Sequence, residues 1–318
     1  MTVTPLTLMD YVSALENRGN RERGQQVLVV LDGLGIKPVV QECRRPRIRN
    51  IIVDFSPGAG KQVLFSAHYD AVRGSPGAND NASGVAVLLG LCHELRQTTA
   101  PVRVIFFDRE EAWLRTPCLR LGLLGSFYYV WKNDPGNIVA VFNLEYCGSG
   151  ELLAMWPIKS RESGRDAVRK VEQAALQLAI PFKSAHVPWT LLSSDHLAFR
   201  LRGVASALTL SLIPARQVPL LDSFVSNLSL PRLLLGRRPA LPEPLSLVHT
   251  RQDTSSRLSE KSLRLMLSLL LELVRKYGSR HLLLSSEYVT LNVQRICHPL
   301  SKCTLNLPRQ GWSGAGLA

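Results

Sequence analysis

The chain has 318 residues, 46% of them apolar, which is enough to bury one large core or two modest ones. No repeat and no Gly/Pro excess points to a fibrous or disordered chain. The formal charge of +13 is dispersed and carries no aromatic-interleaved basic motif, so a solvated basic surface that favours acidic substrates is expected, not a nucleic-acid groove.

Residues 8–16 read as a short helix and 21–34 as a second, ended by Gly35. The β-branched run 49–55 predicts a strand, and 61–67 the next. Between them Ser56-Pro-Gly-Ala-Gly-Lys61 superficially resembles a phosphate loop. It lacks the first glycine and the Ser/Thr after Lys61, so a hairpin turn is predicted. In 83–96, Val85, Leu88, Leu89 and Cys92 fall on one helical face. The runs 102–107 and 138–144 are continuously apolar, as in strands buried on both faces. Helices are predicted at 125–132, 164–178, 195–201 and 259–277, and a further strand at 206–213. This alternation predicts the α/β class: a mostly parallel central mixed sheet with helices on both faces. One domain over 1–279 is expected, followed by a tail, 280–318, without usable periodicity.

Cys43, Cys92, Cys118, Cys147, Cys297 and Cys303 show no paired spacing and are expected to be reduced thiols. Cys297 and Cys303 flank His298, but their interval suits no common zinc module. The first 20 residues lack a basic-then-apolar leader. The most apolar long run, 263–274, is too short for a span and contains Arg264 and Glu272. A cytoplasmic protein without a membrane or nucleic-acid partner is expected.

The chemistry concentrates in HYDAVRGSPGANDNASGVA, residues 68–86. An apolar run delivers His68 and Asp70, and Asp80 follows just before a helix start. His68 can offer a neutral imidazole nitrogen, Asp70 can fix its tautomer, and Asp80 can supply a bridging carboxylate. Glu110 and Glu111 follow the strand 102–107, Glu145 follows 138–144, and His249 opens HTRQDT. The carboxyl ends of strands are where open α/β sheets place their sites.

His68, Asp80, the Glu110-Glu111 pair, Glu145 and His249, together with GANDNASGVA, FFDREE and SSDHLAF, resemble the co-catalytic zinc aminopeptidase family. That family also holds transferrin-receptor-like carboxypeptidases and glutaminyl cyclases. The resemblance spans roughly residues 5–278. It implies two Zn2+ ions, one on His68 and Glu145 and the other on Glu111 and His249, with Asp80 between them. Glu110 is then the general base, Asp70 its partner in the catalytic set, and peptides are the substrates. Asp195 and His196 match a family segment that lines the substrate pocket; a supporting role is as good a reading.

Three departures stand out. Glu145 occupies a position where the family usually has Asp. AWLRTPCLRL is inserted after Glu111, and residues 214–244 carry six prolines, which suits a semi-rigid lid. The expected activity is that of a dinuclear zinc aminopeptidase. The rivals are a glutaminyl cyclase-like acyltransferase with one zinc on Asp80, Glu111 and His249, and a non-catalytic scaffold of the same fold.

Overall fold

The computed structural model describes residues 7–278 except 59, 112–113, 116–119, 158–161, 186–193, 230, 233–234 and 238. Its strands are β1 (Val39–Cys43), β2 (Ile48–Asp54), β3 (Gln62–His68), β4 (Val102–Phe107), β5 (Leu114–Arg115), β6 (Arg120–Leu121), β7 (Ile138–Leu144), β8 (Leu152–Pro157), β9 (Phe182–Ser184) and β10 (Ala207–Ile213). The helices are α1 (Leu8–Leu15), α2 (Asn20–Gly33), α3 (Ser83–Leu95), α4 (Leu124–Lys132), α5 (Glu162–Gln177), α6 (His196–Leu201), α7 (Val218–Asn227) and α8 (Glu260–Tyr277).

One mixed sheet runs in the order β1-β2-β4-β3-β7-β10-β8-β9. Its centre, β4-β3-β7-β10, is parallel, while β1, β2 and β8 join antiparallel and β9 lies parallel to β8. The α/β class and mixed sheet expected from the alternating pattern are therefore present. Every residue of β3 is buried, because helices cover both of its faces. On one face lies α3, an almost wholly apolar helix packed against α1 and α8. Phe65 stacks on Phe142 there, and Tyr277 of α8 meets Phe142 edge-on. On the opposite face, Leu64, Ile105, Phe107 and Val141 pack with Tyr129 and Val130 of α4 and Ala198 and Phe199 of α6.

Strand alternation also sets the polar face. Ser66 pairs in register with Asn143, and Asn143 with Thr209. Asn143 joins these neighbours, accepting from Ser66 Oγ at 2.9 Å and lying 3.3 Å from Thr209 Oγ1. Two residues onward along each strand, the same side belongs to His68 and Glu145. The sheet itself brings those two side chains together.

Several expectations need correction. The turn 56–61 is not a hairpin, because β4 lies between β2 and β3. The hairpin is instead β1–β2, whose first strand the sequence reading did not include. The strands β8 and β9 were also not anticipated. The proline-rich stretch 214–244 contains α7, whose Leu221 and Phe224 pack with Trp156, Ile213 and Leu245. Of the insertion after Glu111, the described residues Leu114–Arg115 pair antiparallel with Arg120–Leu121. Cys43, Cys92 and Cys147 are free thiols. Cys118, Cys297, Cys303, His298 and the tail lie outside the described residues. No helix among the described residues is long and apolar enough to cross a membrane.

Candidate metal centre

His68 is the last residue of β3, and Glu110, Glu111 and Glu145 follow the ends of β4 and β7. Asp80 sits in the wound turn Ala78–Ala82 that leads into α3. His249 arrives from the loop before α8 in a left-handed conformation, φ 62°. His68, Asp70, Asp80, Glu111, Glu145 and His249 lie together, and the Glu110 backbone is tied to Asp70 beside them. Asp80 is the hinge of the arrangement: its Oδ1 lies 3.2 Å from His68 Nε2, and its Oδ2 lies 2.9 Å from His249 Nε2. Glu145 Oε2 stands 3.4 Å from the same His68 nitrogen, and Glu111 Oε1 stands 2.9 Å from that of His249. Two histidine–carboxylate pairs therefore face opposite oxygens of one aspartate.

Asp70 does more than orient a ring. His68 Nδ1 lies 3.1 Å from its carbonyl oxygen and 3.4 Å from its Oδ1. The same carboxylate accepts the backbone N–H groups of Glu110 and Glu111 at 3.0 and 3.1 Å. One residue thus fixes the histidine and both glutamates.

Asp253 plays the matching part for the Asp80 turn, a role that the HTRQDT pattern did not reveal. Its carboxylate accepts from Asn79 N at 2.7 Å and Asp80 N at 3.1 Å. On the other side, fully buried Arg23 donates to the Gly77 carbonyl at 2.7 Å. Gly77 has φ 67°, and a Cβ there would come within 2.4 Å of Arg23 Nη1. Only glycine fits this approach. Burial lowers Arg23 to about 10, against the pull of Asp70 and Asp80, so it is cationic at neutral pH. Replacing Asp253 with Asn should loosen the turn, lowering zinc affinity by about 10–100-fold with the fold retained. Chelator competition with circular dichroism on the same samples checks this.

The donor set fits a divalent cation. A neutral imidazole carries one N–H, yet both nitrogens of buried His68 face carbonyl or carboxylate oxygens. Asp80 Oδ2 is buried, with His249 Nε2 at 2.9 Å, and that nitrogen also faces Glu111 Oε1 at 2.9 Å. One ligand atom each from His68, Asp80 and Glu111 falls within 4.8 Å of the others. Tetrahedral zinc with arms of about 2.0–2.1 Å separates its ligand atoms by about 3.3 Å, close to the spacings found here.

The electrostatics agree. Burial opposes charging of His68, but Glu145, Asp70 and Asp80 outweigh it and hold the ring well above the usual histidine range. Burial likewise opposes His249, and hydrogen bonds to Asp80 and Glu111 carry it to about 9. Burial and the Asp80 charge raise Glu111. Such a crowd of acceptors holds either extra protons or metal.

The family model for peptidase family M28 matches residues 50–274. The chain belongs to peptidase family M28. Aminopeptidase YwaD of Bacillus subtilis (strain 168) is 33% identical over 146 residues, covering 40% of this M28 chain and 29% of YwaD. Among solved structures, Porphyromonas gingivalis glutaminyl cyclase superposes with a TM-score of 0.63 at 17% identity, covering 85% of this chain and 97% of that one. The zinc aminopeptidase BSAP from Bacillus subtilis gives 0.54 at 22%, covering 74% and 50%. The fold is thus shared with zinc aminopeptidases and glutaminyl cyclases, and this M28 chain spans under a third of YwaD.

Asp195 and His196 of the M28 chain lie buried at the start of α6, and His196 Nδ1 meets Thr209 Oγ1 at 2.8 Å. Burial lowers His196 to about 3, so the folded protein keeps it neutral while an unfolded chain protonates it near 6.5. Its contribution to stability is complete above pH 6.5 and is lost as pH falls toward 3, by up to about 1.4 kcal/mol per pH unit. Asp195, lifted by burial to about 7, acts with the opposite sign. The measurement is therefore a difference: urea unfolding at pH 7 and pH 5 should show a smaller acid loss for His196→Asn than for wild type. Glu145 is anchored from beside these residues, by Ser194 Oγ at 2.5 Å and Asn143 Nδ2 at 3.3 Å.

Proposed function

We propose that this chain is a metal-dependent exopeptidase, an aminopeptidase working with two zinc ions. The observation that carries the reading is the division of Asp80, each oxygen facing its own histidine–carboxylate pair. His68, Glu145 and Asp80 Oδ1 would hold one ion, and His249, Glu111 and Asp80 Oδ2 the other. Zinc bound there supplies Lewis acidity for the scissile carbonyl and makes water acidic near neutral pH.

Glu110 is buried, and its N–H is tied to Asp70. In this reading its carboxylate accepts the proton of the attacking water and returns it to the leaving amine nitrogen. Asp70 keeps Glu110, Glu111 and the His68 ring in register through the reaction. Asn143 and Ser194 hold Glu145, offsetting the extra methylene that distinguishes it from the aspartate usual in the family.

The glutaminyl cyclase reading, with one zinc on Asp80, Glu111 and His249, is favoured by the superposition over nearly the whole P. gingivalis enzyme. Metal analysis separates the two, because roughly two zinc ions per chain fits the peptidase and one fits the cyclase. A panel of aminoacyl amides, assayed with and without chelator, should show release of the amine that chelation abolishes. Cyclisation of an amino-terminal glutamine without amide hydrolysis would overturn the peptidase assignment.

A further inference from the structure

The arginines that look dispersed in sequence gather at one corner of the sheet edge carrying the candidate centre. β2 runs antiparallel to β4, so the β1–β2 turn, residues 44–47, emerges at the same edge as the carboxyl ends of β3 and β4. Arg44, Arg47 and Arg49 from this hairpin, Arg21 from α2, and Arg109, which directly precedes Glu110, line an open cavity of about 680 Å³. Its lining holds two carboxylates, Glu42 and Asp108, and Arg49 engages both. The Arg49 side chain pairs with Glu42 at 3.2 Å, and the Arg49 backbone N–H donates to Asp108 Oδ2 at 3.0 Å. Among the described residues, no carboxylate lies within ion-pair distance of Arg21, Arg44, Arg47 or Arg109. Arg109 donates its Nε–H to the Arg47 carbonyl, joining the turn to the strand end that carries Glu110.

We infer that this groove is a subsite for acidic side chains of the substrate, an inference that rests on the peptidase reading above. The arginine turn stands two to three strand spacings from His68, about 10–15 Å at about 4.8 Å per strand. An extended peptide advances about 3.3 Å per residue, so it reaches the arginines about three to four residues from the bond cut. Guanidinium groups stay charged and grip carboxylates with paired N–H donors. The groove is concave, and Glu42 and Asp108 interrupt its positive charge. That suits separate carboxylates on a flexible peptide better than the continuous phosphates of a nucleic acid or the flat face of a membrane.

The test uses metal-loaded protein and matched peptides bearing Glu-Glu, Gln-Gln or Lys-Lys at the third and fourth residues beyond the scissile bond. At low salt, kcat/KM for the acidic peptide should exceed the neutral one by about tenfold, and added salt should shrink the gap. In Arg44→Glu/Arg47→Glu the advantage should vanish while the neutral peptide is cut as in wild type. Arg44→Gln/Arg47→Gln should fall between. Anisotropy of a fluorescent acidic peptide on the Glu110→Gln protein reads the same preference without turnover.

Equal wild-type rates on all three peptides, or a preference that survives charge reversal, overturns the subsite. Arginine-dependent binding of acidic peptide with no cleavage of any peptide supports the groove and sinks the peptidase reading instead. Arginine-dependent binding of single-stranded DNA or phosphatidylserine vesicles, without a preference among peptides, overturns the inference in favour of a polyanion surface.

Discussion

Glu110→Gln should lower kcat for amide hydrolysis by about 10²–10⁴-fold, the usual contribution of a positioned general base, while leaving zinc content and melting temperature close to wild type. Glutamine keeps the shape of the side chain and leaves the Glu110 N–H bond to Asp70 untouched. What it removes is the ability to take up a proton. The neighbouring Glu111, only one residue away, is the one placed 2.9 Å from His249. The pair therefore separates two functions cleanly: loss of Glu110 should cost rate alone, and loss of Glu111 should cost metal. Atomic absorption and steady-state kinetics on the same preparation check this. Unchanged hydrolysis in Glu110→Gln would remove the residue from the mechanism.

Asp80→Asn should empty the centre. Both Asp80 oxygens are used: His68 Nε2 lies 3.2 Å from Oδ1 and His249 Nε2 lies 2.9 Å from Oδ2. An amide offers one acceptor and one donor, so one histidine–carboxylate pair loses its shared ligand and faces N–H groups instead. Zinc after desalting should fall from roughly two ions per chain to under one, with hydrolysis lost in parallel. The loss of affinity should exceed the fall of about 10–100-fold expected for Asp253→Asn, which disturbs the turn but leaves the ligands in place. Full metal occupancy in Asp80→Asn would show that the two sites do not share this residue.

The parallel centre of the sheet was legible because its strands are long apolar runs that end in chemistry. Strands 102–107 and 138–144 appear with the predicted boundaries, and their parity places Glu145 beside His68. The missed elements lack such local signals. β1 is an edge strand with Gln41 and Glu42 in its middle. β8 reads Leu-Leu-Ala-Met-Trp-Pro, without a β-branched residue, and is held in place by antiparallel pairing to β10. In α7, Pro219 lies in the first turn, where proline is tolerated, so proline content alone misled. The turn 56–61 resembles a hairpin turn because nothing local announces that a later strand will insert beside β2.

The supporting cast of the site was illegible for a similar reason. Arg23, Asn143 and Asp253 carry no motif and become functional through partners far along the chain. Ligand types with strand-end positions can be read from sequence, whereas their anchors are visible only in three dimensions.

The Asp80 turn is fastened by a residue 173–174 positions further on, and His249 belongs to that same late segment. A ribosome that has released only the first two hundred or so residues has already made β3, β4 and β7, yet neither the fastener nor the second imidazole exists. Closure of the Asp80 turn and delivery of His249 thus come late in synthesis. Nascent chains stalled before the HTRQDT segment should hold zinc more weakly than the full chain, because His68, Glu145 and Asp80 then lack both the Asp253 fastener and His249.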